Sequence, residues 1–224
     1  MSAKTSPRDN VDENIIEEFM AVALSISEML KPEGKTVRPF LPGIPYFSKL
    51  TAEKKLNVLQ QVRFYQELCQ SHISEGYKIS DNLSFTWRAF RKLGLTPSSD
   101  LFNYVEKEDI VEIYSKDQIQ LFRNFNFFDC CSYTLEELHT LEWWTLFARD
   151  AQYNQMILDE ALKAISGDVH DAFVPNVPWH PVRESRSADK LTMHMGIRRM
   201  APVYKNKRVE GLIVLERATL NPQQ

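Results

Sequence analysis

The sequence predicts an α+β protein: an α-helical region over residues 1–105, an antiparallel sheet with flanking short helices over 106–218, and a tail over 219–224. Three observations lead there. Apolar residues recur every three or four positions as far as Leu93, the period of a helix with one buried face. From Asp109 the pattern changes to short β-branched and aromatic runs with polar turns between them, which is the pattern of strands. Finally, Leu191–Tyr204 and Val209–Leu215 are two apolar runs on either side of a Lys-Asn-Lys-Arg turn, and they read as a hairpin.

Each element follows from local chemistry. Residues 1–11 are polar and carry no element. From Asp12 to Leu30, Ile15, Ile16, Phe19, Val22, Ala23, Ile26 and Leu30 make one stripe. Pro32, Pro39, Pro42 and Pro45, with two glycines, make residues 31–46 an extended connector with no helix. Thr51 is an N-cap for a helix reaching Ser74, with Ala52, Leu56, Leu59, Val62, Tyr65, Cys69 and Ile73 on its apolar side and Gly76 as its stop. Leu83–Leu93 is a shorter helix closed by Gly94, and Pro97–Val105 adds a further turn.

In the second half, Asp109–Asn124 is a hairpin turning through Ser115–Gln118. Thr134 and Glu137 fit a capping box that starts a helix. Tyr153–Ile165 is the next helix, ended by Ser166-Gly167, and residues 168–190 are irregular and proline-rich, with a further strand around Phe173–Val182.

Composition narrows the function classes. Apolar residues make up 43% and charged residues 25%, enough to bury a core in an ordinary globular chain. The net charge of −3 gives no general attraction to nucleic acid or an anionic membrane. No apolar run approaches the ~20 residues of a membrane span, and the N-terminus lacks the apolar core of a signal peptide. Cys69, Cys130 and Cys131 make a poor disulfide framework and read as free, buried thiols. The expected compartment is the cytoplasm. No catalytic motif is present: there is no G-x-S-x-G, Walker A loop, G-x-G-x-x-G or H-E-x-x-H, and seven glycines leave few places to cradle a phosphate. The paired acids Asp12-Glu13, Glu17-Glu18 and Glu136-Glu137 sit at helix starts or on solvated faces, where capping and solubility explain them.

The run "IQLFRNFNFFDCCSYTLEELHTLEWWTLFARD" resembles the middle of a PAS domain, with Asn124, Tyr133-Thr134, Glu136-Glu137-Leu138 and Leu146-Phe147 at its characteristic positions. "HMGIRRMAPVYKNKRVEGLIVLE" resembles that family's last two strands, with Gly211, Ile213 and Val214 in the closing strand. The resemblance covers residues 107–218, about half the chain; residues 1–105 resemble nothing comparable. It implies two antiparallel hairpins flanking short helices, and a non-enzymatic sensor that binds a small ligand or a protein signalling partner. It implies a cavity lined by Ile113, Leu121, Phe122, Phe127, Met156, Leu162, Met193, Met195 and Ile213, with Gly211 marking a close approach of backbone or ligand.

The resemblance leaves the cofactor open and disfavours two candidates. Cys130-Cys131 lies outside the sequence context of a flavin-adduct cysteine, and the helix over 151–166 holds no haem-ligating His, His170 lying just past it. Asp168, His170, Asp171 and His180 match no metal-site spacing and read as a solvated loop. A second reading is a DNA-binding regulator, in which "SFTWRAFRKLGLTPSSDLF" would be a helix-turn-helix with Arg88, Arg91 and Lys92 on phosphate; Ser98, Ser99 and Asp100 in its second helix do not favour it. With Leu215 near the end of the chain, the signal is expected to leave through the N-terminal helices. The apolar stripe of helix 12–30 and the terminal sheet predict a homodimer through those two surfaces.

Overall fold

The structure, a computed structural model, describes residues 7–220. The polar segment expected at the N-terminus lies outside the described residues as far as residue 6, and from Pro7 the chain is already helical. Helix α1 (Pro7–Leu30) runs into a single 3-10 turn, Lys31–Glu33, inside the connector expected to hold no helix. Gly34 then reverses the chain with φ +74°, a conformation that costs glycine nothing sterically.

Helix α2 (Ala52–Ser74) begins where Thr51 Oγ1 accepts from Lys54 N. Helix α3 (Asn82–Leu93) is capped by Asp81 and ended by Gly94 in the left-handed conformation. α1 buries its stripe inside the same chain: Ile15, Phe19, Val22, Ala23, Ile26 and Leu30 are all buried, and Phe19 stacks on Phe47 of the connector at 4.0 Å. Each of these side chains except that of Ala23 contributes about 1.5–3 kcal/mol relative to leaving it in water. The expectation that this stripe needs a second copy therefore loses its premise.

On α2 the buried face is Lys55, Val58, Leu59, Val62, Tyr65, Leu68, Cys69 and His72, while Leu56 and Ile73 face solvent. The expected stripe is displaced because two polar residues find partners. Lys55 Nζ pairs with Asp12 Oδ2 at 2.6 Å, and His72 accepts from Arg88 Nε at 3.0 Å.

Past α3 the expected extra helical turn is a two-residue strand, β1 (Thr96–Pro97), and a 3-10 turn at Leu101–Asn103. β2 (Ile110–Ser115) and β3 (Gln120–Arg123) form the expected hairpin. The capping box at Thr134 and Glu137 opens α4 (Leu135–Thr140), followed by α5 (Trp143–Leu146), a two-residue edge strand β4 (Phe147–Ala148) and α6 (Ala151–Ser166). The strand expected around Phe173–Val182 is reduced to a Phe173–Met200 bridge and β5 (His180–Glu184). β6 (Thr192–Lys205) and β7 (Arg208–Leu220) close the sheet. β7 runs to Leu220, so the expected tail begins inside a strand; residues 221–224 lie outside the described residues.

The strands form one curled antiparallel sheet in the order β3-β2-β7-β6-β5-β4, with β1 on the far end of β6. The first and last hairpins are thus joined edge to edge through β2 and β7, in register from Ile110↔Glu216 to Ser115↔Gly211. An irregularity between Ile197 and Arg199 shifts β6 by one residue. It leaves Met193, Met195, Ile197 and Met200 on the same face as Leu212, Val214 and Glu216.

That face, here called inner, packs on α6 and on the segment 125–147. Met200, Leu212 and Val214 meet α6, and Met193, Met195 and Val182 meet Phe127, Cys130 and Phe147. The opposite face carries Val111, Ile113, Ala201, Val203, Ile213 and Leu215. It is covered by the N-terminal helices, where Tyr65 of α2 and Phe85 of α3 pack against Phe122 at 6.0 and 5.9 Å. One apolar cluster runs from Ile15 to Leu215 across residue 105. Glu136 adds a polar tie: fully buried at the start of α4, it accepts from Leu41 N, Tyr46 N and Phe47 N of the connector at 3.1, 2.8 and 2.9 Å.

Candidate functional site

The sheet is covered on both sides, so the alternation along its strands sorts residues between two interiors. On β2, Val111 and Ile113 join the N-terminal core, which turns Ile110, Glu112 and Tyr114 to the inner face. Glu112 forms a buried ion pair with Arg123 of β3 and accepts from Tyr114 Oη at 2.5 Å. The Arg123 guanidinium also lies over the Phe127 ring, 3.9 Å from its centroid, a cation–π contact strengthened by the exclusion of water. This half of the inner face is electrostatically complete.

The other half is not. Glu216 faces Ile110 across the β2–β7 pair and is 7% exposed, and its carboxyl makes no hydrogen bond. Burial, reinforced by the nearby Glu112 carboxylate and opposed by Arg149 and Arg123, pushes its carboxyl up to about 8. His180 of β5 is 1% exposed, and its ring stacks on Tyr153 of α6 at 4.7 Å. Its Nδ1 lies 2.9 Å from the Pro178 carbonyl. A carbonyl only accepts, so the proton sits on Nδ1 and Nε2 presents a lone pair. Burial, helped by the Arg149 charge, lowers the pKa of the ring and keeps it neutral. Nε2 is buried without a partner, as is Nε of Arg149. Arg149 follows β4, where Phe147 pairs with Glu184 and packs inward, so alternation returns Arg149 to the same side. Its charge acts on both His180 and Glu216.

Buried polar groups without partners are uncommon because each costs roughly 1–3 kcal/mol. Other buried acids here show what a purely structural role looks like. Glu184 accepts from Ser132 N, Ser132 Oγ, Ser187 Oγ and Leu191 N. Asp109 is held by Arg198 and Arg217. Both are saturated, whereas Glu216, His180 and Arg149 are not.

The residues expected to line one cavity divide between the two interiors. Phe127, Met156, Met193 and Met195 belong to the inner face. Ile113, Leu121, Phe122 and Ile213 pack into the N-terminal core on the opposite side, and Leu162 points to solvent at 58% exposure. Gly211 makes a backbone contact: a Cβ there would sit 1.9 Å from the Tyr114 carbonyl oxygen.

Glu112, Arg123, Arg149 and Glu216 were not singled out by sequence reasoning, and His180 was weighed only as a member of a solvated loop. A charged residue in an alternating strand reads as solvent-facing, and only the cover on both sides reverses that meaning. Asp168, His170, Asp171 and His180 do not converge, and among the described residues no three such side chains form a metal-binding group. No described helix is long and apolar enough to cross a membrane.

Two grooves lie away from His180, Arg149 and Glu216. One of about 660 Å³ runs along the seam beside Lys35, Lys107, Asn126 and Asp129, and another of about 520 Å³ lies between α2 and α4 near Lys54, His139 and Glu142. Around the unpaired polar groups the inner face is packed with Met193, Met195, Phe127 and Phe147. Methionine is unbranched and conformationally adaptable, so this packing can yield to a guest.

Compared with family models, curated proteins and solved structures, the chain matches none.

Proposed function

We propose that this chain is a PAS-type sensory module that binds a small molecule on the inner face of its sheet and reports binding through its N-terminal helices. The observation that carries this reading is His180 Nε2, a fixed hydrogen-bond acceptor that is almost wholly buried and has no partner. The arrangement of two antiparallel hairpins around short helices supports the same reading. The route outward is short: Arg123, the cation of the inner-face ion pair, donates its backbone N–H to Tyr65 Oη of α2 at 2.7 Å. A shift of β3 on ligand binding is therefore felt by α2 and by α1 packed against it.

The DNA-binding reading gains no support from the cations it would use. Arg88 is paired with Glu75, Lys92 with Glu67, and Arg91 stacks on Trp87. No second helix follows α3 at the spacing a helix-turn-helix needs.

Native mass spectrometry of the purified full-length chain tests the proposal. It should show a retained small molecule that is lost on denaturation and is depleted in Arg149→Met. A bare chain in both proteins, with no thermal stabilisation by any small-molecule class, would contradict it.

A further inference from the structure

We infer that the ligand of the inner face is a small organic acid, with its carboxylate on Arg149, a hydroxyl or amino donor turned to His180 Nε2 and an aliphatic tail among Met193, Met195 and Phe127. The inference rests on the ligand-site reading above and deepens it.

The first argument is the charge inventory. Five charged or chargeable groups of the sheet and its edge face this interior besides His180: Glu112, Arg123, Arg149, Glu184 and Glu216, of which Glu184 is already held by Ser132, Ser187 and Leu191. Arg123 is committed to Glu112; Arg149 has no ion pair, and its Nε is buried without an acceptor. A guanidinium in that position is best satisfied by a planar anion, and a carboxylate matches its fork of donors. Glu216 is placed to be that anion, yet it makes no bond to Arg149.

The second argument is the state of Glu216. With its carboxyl titrating near 8, it carries its proton at neutral pH. A protonated carboxyl donates one hydrogen bond, so it assists a ligand carboxylate beside it instead of repelling it. The interior then holds Glu112 and Arg123 paired, Glu184 saturated by its donors, a protonated Glu216, a neutral His180 and a half-buried Arg149 whose Nε lacks an acceptor. A carboxylate on the ligand supplies the acceptor that Arg149 Nε lacks.

The third argument is the fixed tautomer. Because Pro178 takes the Nδ1 proton of His180, Nε2 can only accept, so the ligand must bring a donor as well as an anion. An α-hydroxy or α-amino acid carries both within a few ångströms. The remaining walls are apolar and deformable, which favours an aliphatic tail over a further polar group.

Isothermal titration of the full-length chain with lactate, caproate, α-hydroxycaproate, α-hydroxycaproamide and hexylamine tests this. α-Hydroxycaproate should bind most tightly, with lactate weakened by its short tail and caproate by its missing donor. Arg149→Met should weaken α-hydroxycaproate at least about tenfold, with partial recovery in Arg149→Lys. His180→Phe, which preserves the stack on Tyr153, should bring α-hydroxycaproate down to the affinity of caproate. Equal or tighter binding of the amide or the amine overturns the ligand class while leaving a ligand site in place. If none of the probes binds, the molecule retained in native mass spectrometry decides: an acid supports the inference, a neutral or basic molecule overturns it. A bare chain removes the site and the inference together.

Discussion

His180 gives its one ring proton to the carbonyl of Pro178, two residues earlier in the chain, and so turns a bare nitrogen into the protein interior. The contact is local, and it fixes which ring nitrogen carries the proton. Its position on β5 places it across from Met195, on the face where Glu216 also lies. An interior built only for stability would have replaced these groups with apolar ones or saturated them, as it does at Glu184.

The state of Glu216 predicts a pH dependence. Its carboxyl is raised from 4.5 to about 8 in the folded chain, so between those values the native state holds a proton that the unfolded state has lost. Stability then falls as pH rises through this window, by up to about 1.4 kcal/mol per unit, and levels off above it. The charged groups acting on it are Glu112 of β2, Arg123 of β3 and Arg149 beside α6. Glu216→Gln should flatten this part of the profile in urea unfolding between pH 5 and 8; an unchanged slope would show that Glu216 titrates normally.

Two glycines are predicted to differ in their tolerance of a methyl group. At Gly211 the added carbon meets the Tyr114 carbonyl at 1.9 Å, and that backbone is fixed by the β2–β7 ladder. At Gly196 it meets the ring of Trp179 at 2.3 Å, and that indole is half exposed and can swing away. Gly211→Ala should cost about 3 kcal/mol and Gly196→Ala about 1 kcal/mol, with an altered tryptophan emission only in the second. Equal costs in chemical denaturation would contradict the geometry.

Glu136 is the polar tie between the connector and α4. Replacing it with alanine strands three backbone N–H groups, those of Leu41, Tyr46 and Phe47. The loss should be about 3 kcal/mol or more. Hydrogen exchange at these three amides should accelerate together, and selective protection of any one would mean that it has another acceptor.

Much of this architecture is legible in the sequence where the signal is local. The Thr134–Glu137 box, the Gly94 stop and the two hairpins depend on neighbours within a few residues, and they form as the pattern says. What depends on distant partners is not legible. The face of α2 is decided by Asp12 and Arg88, which give Lys55 and His72 reasons to be buried while Leu56 stays in water. The candidate site suffers the same way. Four of the apolar walls that the PAS resemblance implies, Phe127, Met156, Met193 and Met195, do lie on this side, but the polar groups that give it chemistry look like solvent-facing residues until α6 closes over them.

The relay from sheet to helices predicts a coupling at Tyr65. Tyr65→Phe removes the acceptor of the buried Arg123 N–H and should cost about 1–2 kcal/mol. It should also leave ligand affinity near that of the parent chain while reducing ligand-induced protection of α2 in hydrogen exchange. Full protection of α2 in the variant would place the route elsewhere.

The most direct test of an inner-face ligand site is ¹³C-methyl NMR of the methionines as α-hydroxycaproate is added to the full-length chain. Met193 and Met195 lie on the inner face and Met156 packs against it from α6, whereas Met20 and Met29 pack in the N-terminal core. The account predicts that the Met193 and Met195 methyl signals shift first and furthest, with those of Met20 and Met29 moving little. Shifts led by Met20 or Met29, or saturating binding that leaves Met193 and Met195 unmoved, would contradict it.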